Sequence, residues 1–274
     1  FFRRLMPPLD TLRPLLPAAA ALALLLAAGV AALAHLALRP RGFSTPWKTV
    51  LGQLAAASPW RGPDLLFILL ALSGAQLVRR LLPASTALDV LAFQGVLVAA
   101  VGWRMRAKPR PFGAPAPARA VLAQAALRWL AVLPILWFVS FAWQILLTAL
   151  GHAPDFQAAI HLFLETDDPL RRAAFVVFAV GVAPIAEEAL FRGILLPLLV
   201  RRFGAAIGLG LVALGFAALH GDAGSFPGLA VLSVALSLAY ARTGTILVPM
   251  AMHALFNAAN LALILALIRS GALG

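Results

Sequence analysis

Apolar residues run along the chain in long blocks separated by short polar stretches, at 15–38, 65–78, 88–103, 127–150, 173–200, 205–219, 226–241 and 246–268. As helices at about 1.5 Å per residue, each block crosses or nearly crosses a hydrocarbon core of about 30 Å. The pattern predicts an all-α, polytopic transmembrane helical bundle of about eight spans, or seven if the short second block does not cross. The first block follows Arg3, Arg4 and Arg13. Its length exceeds the roughly 7–15 residues of a signal-peptide core, so it reads as a span.

Polar stretches divide this array. Residues 104–119 are basic and proline-rich (KPRPFGAPAPAR within them) and cannot hold a helix, which predicts a linker between two groups of spans. Residues 1–125 then form an N-terminal unit of spans plus linker, and 126–274 a C-terminal helical core. Between the fourth and fifth blocks, 152–172 mixes Asp155, Glu165, Asp167 and Asp168 with Ile160, Leu162, Phe163 and Leu164, the pattern of an amphipathic interfacial turn or helix. Asp168-Pro169 supplies a cap and a first-turn proline for the fifth span.

Composition sharpens the picture. Of 274 residues, 62% are hydrophobic and 12% charged, and the mean hydropathy of +0.95 excludes a water-soluble globule. A net charge of +12 would suggest nucleic acid in a soluble chain. Here the basic residues cluster between apolar blocks, where they set orientation, and no nucleic-acid partner is expected. In an eight-span arrangement the loops after spans 1, 3, 5 and 7 hold most of the Lys and Arg. The positive-inside rule puts those loops in the cytoplasm and both termini outside, although Arg3, Arg4 and Arg13 weigh against it. With no cysteine, disulfides, thiol nucleophiles and thiolate metal sites are excluded.

Few ionisable residues fall inside the apolar blocks, where each costs about 2.5–3.5 kcal/mol at a helix centre. In the fifth block, Glu187 and Glu188 precede Arg192. Glu188 and Arg192 are i and i+4, share a face and predict an ion pair. Glu187 is turned about 100° away and is left to face a pocket as a general base. His220 ends the sixth block, and His253 and Asn257, again i and i+4, lie in the eighth. Read singly, each has a bland alternative: an interfacial histidine, or interhelical hydrogen bonding. By rise per residue, His220 lies roughly 22 Å and His253 roughly 10 Å from the start of its span, both near the midplane, as is Glu187. Convergence of Glu, His, His and Asn in a dry interior points to a water-activating hydrolytic site.

Three stretches carry a family resemblance: Glu187-Glu188-Ala-Leu-Phe-Arg192, Phe216-Ala-Ala-Leu-His220 and His253-Ala-Leu-Phe-Asn257. In this order and spacing the chain resembles the CAAX-processing and bacteriocin-processing (CPBP, or Abi) intramembrane proteases. The resemblance covers about 173–263 and includes the turn from Tyr240 to Ile246. It implies an intramembrane endopeptidase of the bacterial cytoplasmic membrane, acting on a peptide or protein substrate at or in the bilayer. Glu187 would activate water with His220, His253 and Asn257 would stabilise the oxyanion, and Glu188 with Arg192 would support the helix. Members are often described as metal-dependent. If a divalent metal such as zinc is held, Glu187, His220 and His253 are the ligands on offer; the chain lacks the His-Glu-x-x-His helix of common zinc proteases, so a metal-free glutamate mechanism stays equally open.

Other candidates are weaker. Asp89 reads as a boundary residue, His35, His152 and His161 have no motif context, and Asp222 could orient His220 from a turn. A serine triad lacks its Gly-x-Ser-x-Gly elbow, and no phosphate-binding glycine loop is present. Two other functions compete: a non-catalytic immunity or scaffolding protein that keeps the motif residues for packing, and a proton-coupled transporter, which the lack of internal repeats disfavours. The sequence assigns neither an oligomeric state nor a substrate.

Overall fold

The computed structural model describes residues 16–38, 45–81, 86–152, 163 and 168–269, with backbone alone at 16–18, 86–91 and 269. The interfacial element expected over 152–172 lies mostly outside the described residues, with Asp155, His161, Glu165 and Asp167. The Asp89 side chain lies outside them too.

The described residues form eight helices: α1 (Leu16–Leu38), α2 (Trp47–Ala57), α3 (Gly62–Arg79), α4 (Thr86–Met105), α5 (Ala118–Ala149), α6 (Pro169–Leu219), α7 (Phe226–Thr243) and α8 (Leu247–Arg269). Among them α1, α3, α5, α6, α7 and α8 are long and apolar enough to cross a membrane. Their outer faces carry large apolar side chains in helical register, such as Phe138, Phe141 and Ile145 on α5 and Ile207, Leu211 and Leu214 on α6. In water such stripes would be a liability, but against lipid tails they need no cover. The all-α polytopic bundle read from the pattern is the observed fold.

α6 begins as expected: the Asp168 side chain accepts the Leu170 N–H at 2.9 Å, and Pro169 occupies the first turn. Its 51 residues do not make one rod. Gly204 takes φ 81° and ψ 167°, and the chain reverses there into two antiparallel arms, 169–203 and 205–219. The arms meet so closely that a Cβ on Gly208 would lie 2.6 Å from the Val200 nitrogen. These arms correspond to the predicted fifth and sixth spans; counted separately, and with α4, they would raise the six long apolar helices to eight passes among the described residues.

Two features depart from the sequence pattern. α2 is a short helix in the stretch that reads as a loop; its 11 residues include Lys48 and Gln53 and cannot cross a bilayer, yet Leu51 and Ala55 are buried against α6 and α7. The basic, proline-rich segment is not a free tether. It folds back across the bundle as a strap: Ala114 N–H donates to the Gly244 carbonyl at 3.0 Å and Ile246 N–H to the Phe112 carbonyl at 3.2 Å. Phe112 stacks on Trp60, whose indole N–H donates to the Pro111 carbonyl at 2.7 Å. Lys108 pairs with buried Asp64 at 2.8 Å, and Arg104 also hydrogen-bonds that carboxylate.

These contacts sort the loops into two ends. At one end Arg201 donates to the carbonyls of Ala55, Ser58 and Trp60, beside the strap and the Gly244 turn. At the other, Trp143 and Gln144 of α5 donate to the carbonyls of Ala223 and Gly224 at 2.8 and 3.1 Å. Loops after passes 1, 3, 5 and 7 therefore share one end and those after passes 4 and 6 the other, the alternation that eight crossings require.

Candidate active site

The first arm of α6 changes pitch twice around the double glutamate. Residues Phe178–Val182 and Ala189–Leu195 are wound as π-helix, with Ala183–Glu188 as α-helix between them. Each wide turn ends just before a proline, Pro184 or Pro197. A proline ring clashes with the carbonyl four residues back and lacks an N–H, and widening the preceding turn relieves the clash. The Ala183 N–H reaches back five residues to Phe178, and Pro184 has no N–H to offer, so the Ala179 carbonyl loses its helical partner. Asn257 supplies one: its side-chain amide donates to that carbonyl at 2.7 Å. One of the two Asn257 N–H groups thus clamps α8 to α6, and the bland reading of interhelical bonding holds for it.

Glu188 is fully buried and forms the ion pair that the spacing predicts, accepting from Arg192 at 2.8 Å. Arg192 is equally buried. It lies 4.4 Å from the Phe216 ring centre and donates at 2.9 Å to the Ser233 hydroxyl of α7. Ser237 donates to the Ser233 carbonyl at 2.8 Å and steadies that partner. Around Arg192 the fold thus joins both arms of α6 to α7.

Glu187 faces another way, 16% exposed at its side chain against none for Glu188. Its Oε1 accepts from the Gln94 side chain of α4 at 3.1 Å, and its Oε2 lies 3.9 Å from His253 Nε2, beyond hydrogen-bond range. The other nitrogen of His253, Nδ1, is 2.9 Å from Glu188 Oε1. This imidazole therefore sits between the two carboxylates.

His220 reaches the same depth through the α6 hairpin. Counting outward from Gly204, Val200 faces Gly208, Arg192 faces Phe216, and Phe191 packs edge-on to Phe216 at 5.2 Å. Continuing that register brings Glu187 and Glu188 level with His220. The rings of His220 and His253 lie 4.8 and 5.7 Å from the Phe216 ring centre. His220 Nδ1 is 2.8 Å from the Phe216 carbonyl. A carbonyl only accepts, so Nδ1 carries the hydrogen and, in the neutral ring, Nε2 keeps a lone pair for other work. Asp222 does not orient this ring: its two carboxylate oxygens accept the backbone N–H groups of Gly224 and Ser225 at 3.0 and 2.9 Å, folding the turn into α7.

Gln94, Ser233 and Ser237 join the site without standing out in the sequence. Gln94 is the uncharged polar side chain of the block at 88–103, and the two serines are i and i+4 in an apolar run. Those are the signals the sequence offers for them.

A metal fits this arrangement poorly. Among the described residues, no three His, Asp or Glu side chains are grouped tightly enough to hold an ion. His253 and His220 each commit only Nδ1, to Glu188 and to a carbonyl, so both Nε2 atoms stay available and it is the spacing of the groups, not a shortage of ring nitrogens, that leaves no cage. Glu187, His220 and His253 are thus neighbours without forming a cage.

Residues 169–259 match the family model described as Rce1-like, type II CAAX prenyl endopeptidase. These residues carry a CAAX protease family domain. The match takes in both arms of α6, the turn into α7, α7 itself and α8 through Asn257, so all three motifs of the CAAX protease core lie inside it. Gln94 and the strap lie outside. No curated protein and no solved structure matches the chain.

Proposed function

We propose that the protein is an intramembrane endopeptidase in which Glu187 activates water for attack on a peptide bond of a membrane-associated substrate. The observation that carries this reading is the contrast between the two glutamates. Glu188 is fully buried, its Oε1 shared by Arg192 and His253, while Glu187 is partly open and bordered by hydrogen-bonding groups of two further helices. Water gives a proton to Glu187 as its oxygen bonds to the scissile carbonyl carbon. His220, with Nε2 available, assists that transfer. His253, its Nδ1–H given to Glu188, stabilises the oxyanion from Nε2 when that nitrogen also bears a hydrogen, where such donors are worth about 3 kcal/mol. The second N–H of Asn257 would be its partner. Collapse of the intermediate breaks the C–N bond, and the proton on Glu187 passes to the leaving amine.

The family description names prenylated CAAX substrates, whose farnesyl or geranylgeranyl cysteine lies near the C-terminus. The lipid-facing bundle supports a membrane-anchored peptide in general, and a prenylated one is the first to test. A non-catalytic scaffold would account for Glu188, Arg192 and Asn257, all committed to packing, but not for the open carboxylate of Glu187.

The test compares membrane peptides, by mass spectrometry, from cells producing the wild type and Glu187→Gln. New peptide termini should appear with the wild type and vanish with a variant that accumulates in the membrane to the same level. Termini that persist in Glu187→Gln would sink the mechanism.

A further inference from the structure

We propose that Gln94, on α4 and outside the CAAX protease core, completes the water-activating site by fixing the Glu187 carboxylate and accepting a hydrogen bond from the attacking water. The inference rests on the reading of Glu187 as general base. Gln94 is 6% exposed and sits in a helix that is otherwise apolar on either side of it, next to Phe93 and Val96. Its side-chain nitrogen donates to Glu187 Oε1 at 3.1 Å. An ionised carboxylate can only accept, so the amide must turn its NH2 toward Glu187, which assigns the other end as the oxygen. That oxygen, Oε1, is buried and has no hydrogen-bond partner.

A buried amide with one end satisfied and the other bare is poor packing, and a leucine would fill the position without penalty. The bare acceptor makes sense beside a base. A water molecule that donates one hydrogen to Glu187 and the other to Gln94 Oε1 has both O–H bonds directed at protein, and its lone pair turns outward to the scissile carbonyl. In the step, Glu187 takes the first proton as the C–O bond forms. The second hydrogen stays on oxygen, held by Gln94, until the C–N bond breaks and Glu187 returns its proton to the amine. Peptide and water give acid and amine, with no other reactant. Gln94 thus positions the base and its water and undergoes no chemistry.

The test uses the full chain and the host's own membrane proteome as probe. Wild type, Glu187→Gln and Gln94→Met, which keeps length and volume without donor or acceptor, are compared for rate of appearance of new termini. A synthetic peptide spanning the first site found then separates kcat from KM. Gln94→Met should lower kcat by about ten- to a hundredfold with KM roughly unchanged, the signature of a group acting in the transition state. Its thermal unfolding midpoint should stay at the wild-type value, because a merely structural role would move that midpoint and leave kcat per folded molecule intact. Should Gln94→Met not accumulate, Gln94→Asn, which withdraws the same amide by one methylene, is held to the same criterion. Wild-type kcat in the folded variant overturns the role of Gln94 alone. Absence of any Glu187-dependent termini in the wild type overturns the endopeptidase reading, and this inference with it.

Discussion

Glu187 and Glu188 are chemically identical neighbours that the helix sends to opposite tasks. Glu188 meets Arg192 and His253 with no exposure, so its removal leaves a buried guanidinium without its counter-charge. Glu188→Gln should therefore lower stability by about 3–5 kcal/mol, read as an earlier thermal transition in detergent. Glu187→Gln should unfold with the wild type while losing activity. Opposite behaviour of the two variants would exchange their roles. For His220, alanine should cost activity without a comparable loss of stability, because the ring is only partly buried and its one hydrogen bond is to a carbonyl of its own helix. Thermal melts alongside cleavage rates check this, and an unfolded His220→Ala would mark the ring as structural.

Between residues and fold, the helix itself is the working part. Pro184 opens a wide turn, strands the Ala179 carbonyl, and Asn257 answers it from α8. Asn257→Ala alone should destabilise by about 1 kcal/mol, and the loss should shrink when Pro184→Ala returns an N–H to α6. A double-mutant cycle of unfolding free energies measures this coupling, and strict additivity would mean the two do not communicate. Gly208→Ala would push a methyl to 2.6 Å from the Val200 backbone and should cost about 1–3 kcal/mol by prying the hairpin open.

Legibility differs across these features for physical reasons. The Glu188–Arg192 pair follows from i,i+4 geometry and is readable in the sequence, as is the hairpin, since polar Arg201 and Arg202 interrupt the apolar run ahead of Gly204. The π turns are not, because hydropathy records which residues meet lipid and not the pitch of the backbone. Gln94 escapes for a related cause: neither charge nor motif marks a neutral amide, which gains meaning only when a separate helix brings it to Glu187. The sequence marks His253 by its motif, but its place between both carboxylates is not legible there.

For the whole molecule, the loops gathered at the two ends of the bundle make those ends unlike. Residues near Arg106 and Arg202 belong to the end that holds the strap, and Ala223 to the other. The chain has no cysteine, so single Arg106→Cys, Arg202→Cys and Ala223→Cys variants report cleanly. A membrane-impermeant thiol reagent applied to intact cells should label Ala223→Cys and spare the other two, if the basic end is cytoplasmic as the positive-inside rule requires. Labelling of Arg106→Cys and Ala223→Cys from the same side would refute the eight-pass topology. The strap also limits the role of the basic segment. Phe112 rests against Gly193, where a Cβ would lie 2.4 Å from the ring, so the chain that joins the two groups of spans packs directly beneath the motif helix.

The pairing of Glu188 with Arg192 has a bearing on biogenesis. Both partners belong to one helix, one turn apart, so they can neutralise each other as soon as that turn winds. A nascent segment carrying two lone charges would resist leaving the translocon, at about 2.5–3.5 kcal/mol for each. With that pair neutralised within the helix, Glu187 is the central charge that α6 still takes into lipid, and only afterwards do Ser233 and His253 of α7 and α8 arrive to share the buried pair. Splitting the pair across two helices would preserve the finished site yet make its assembly wait on the last span to emerge from the ribosome.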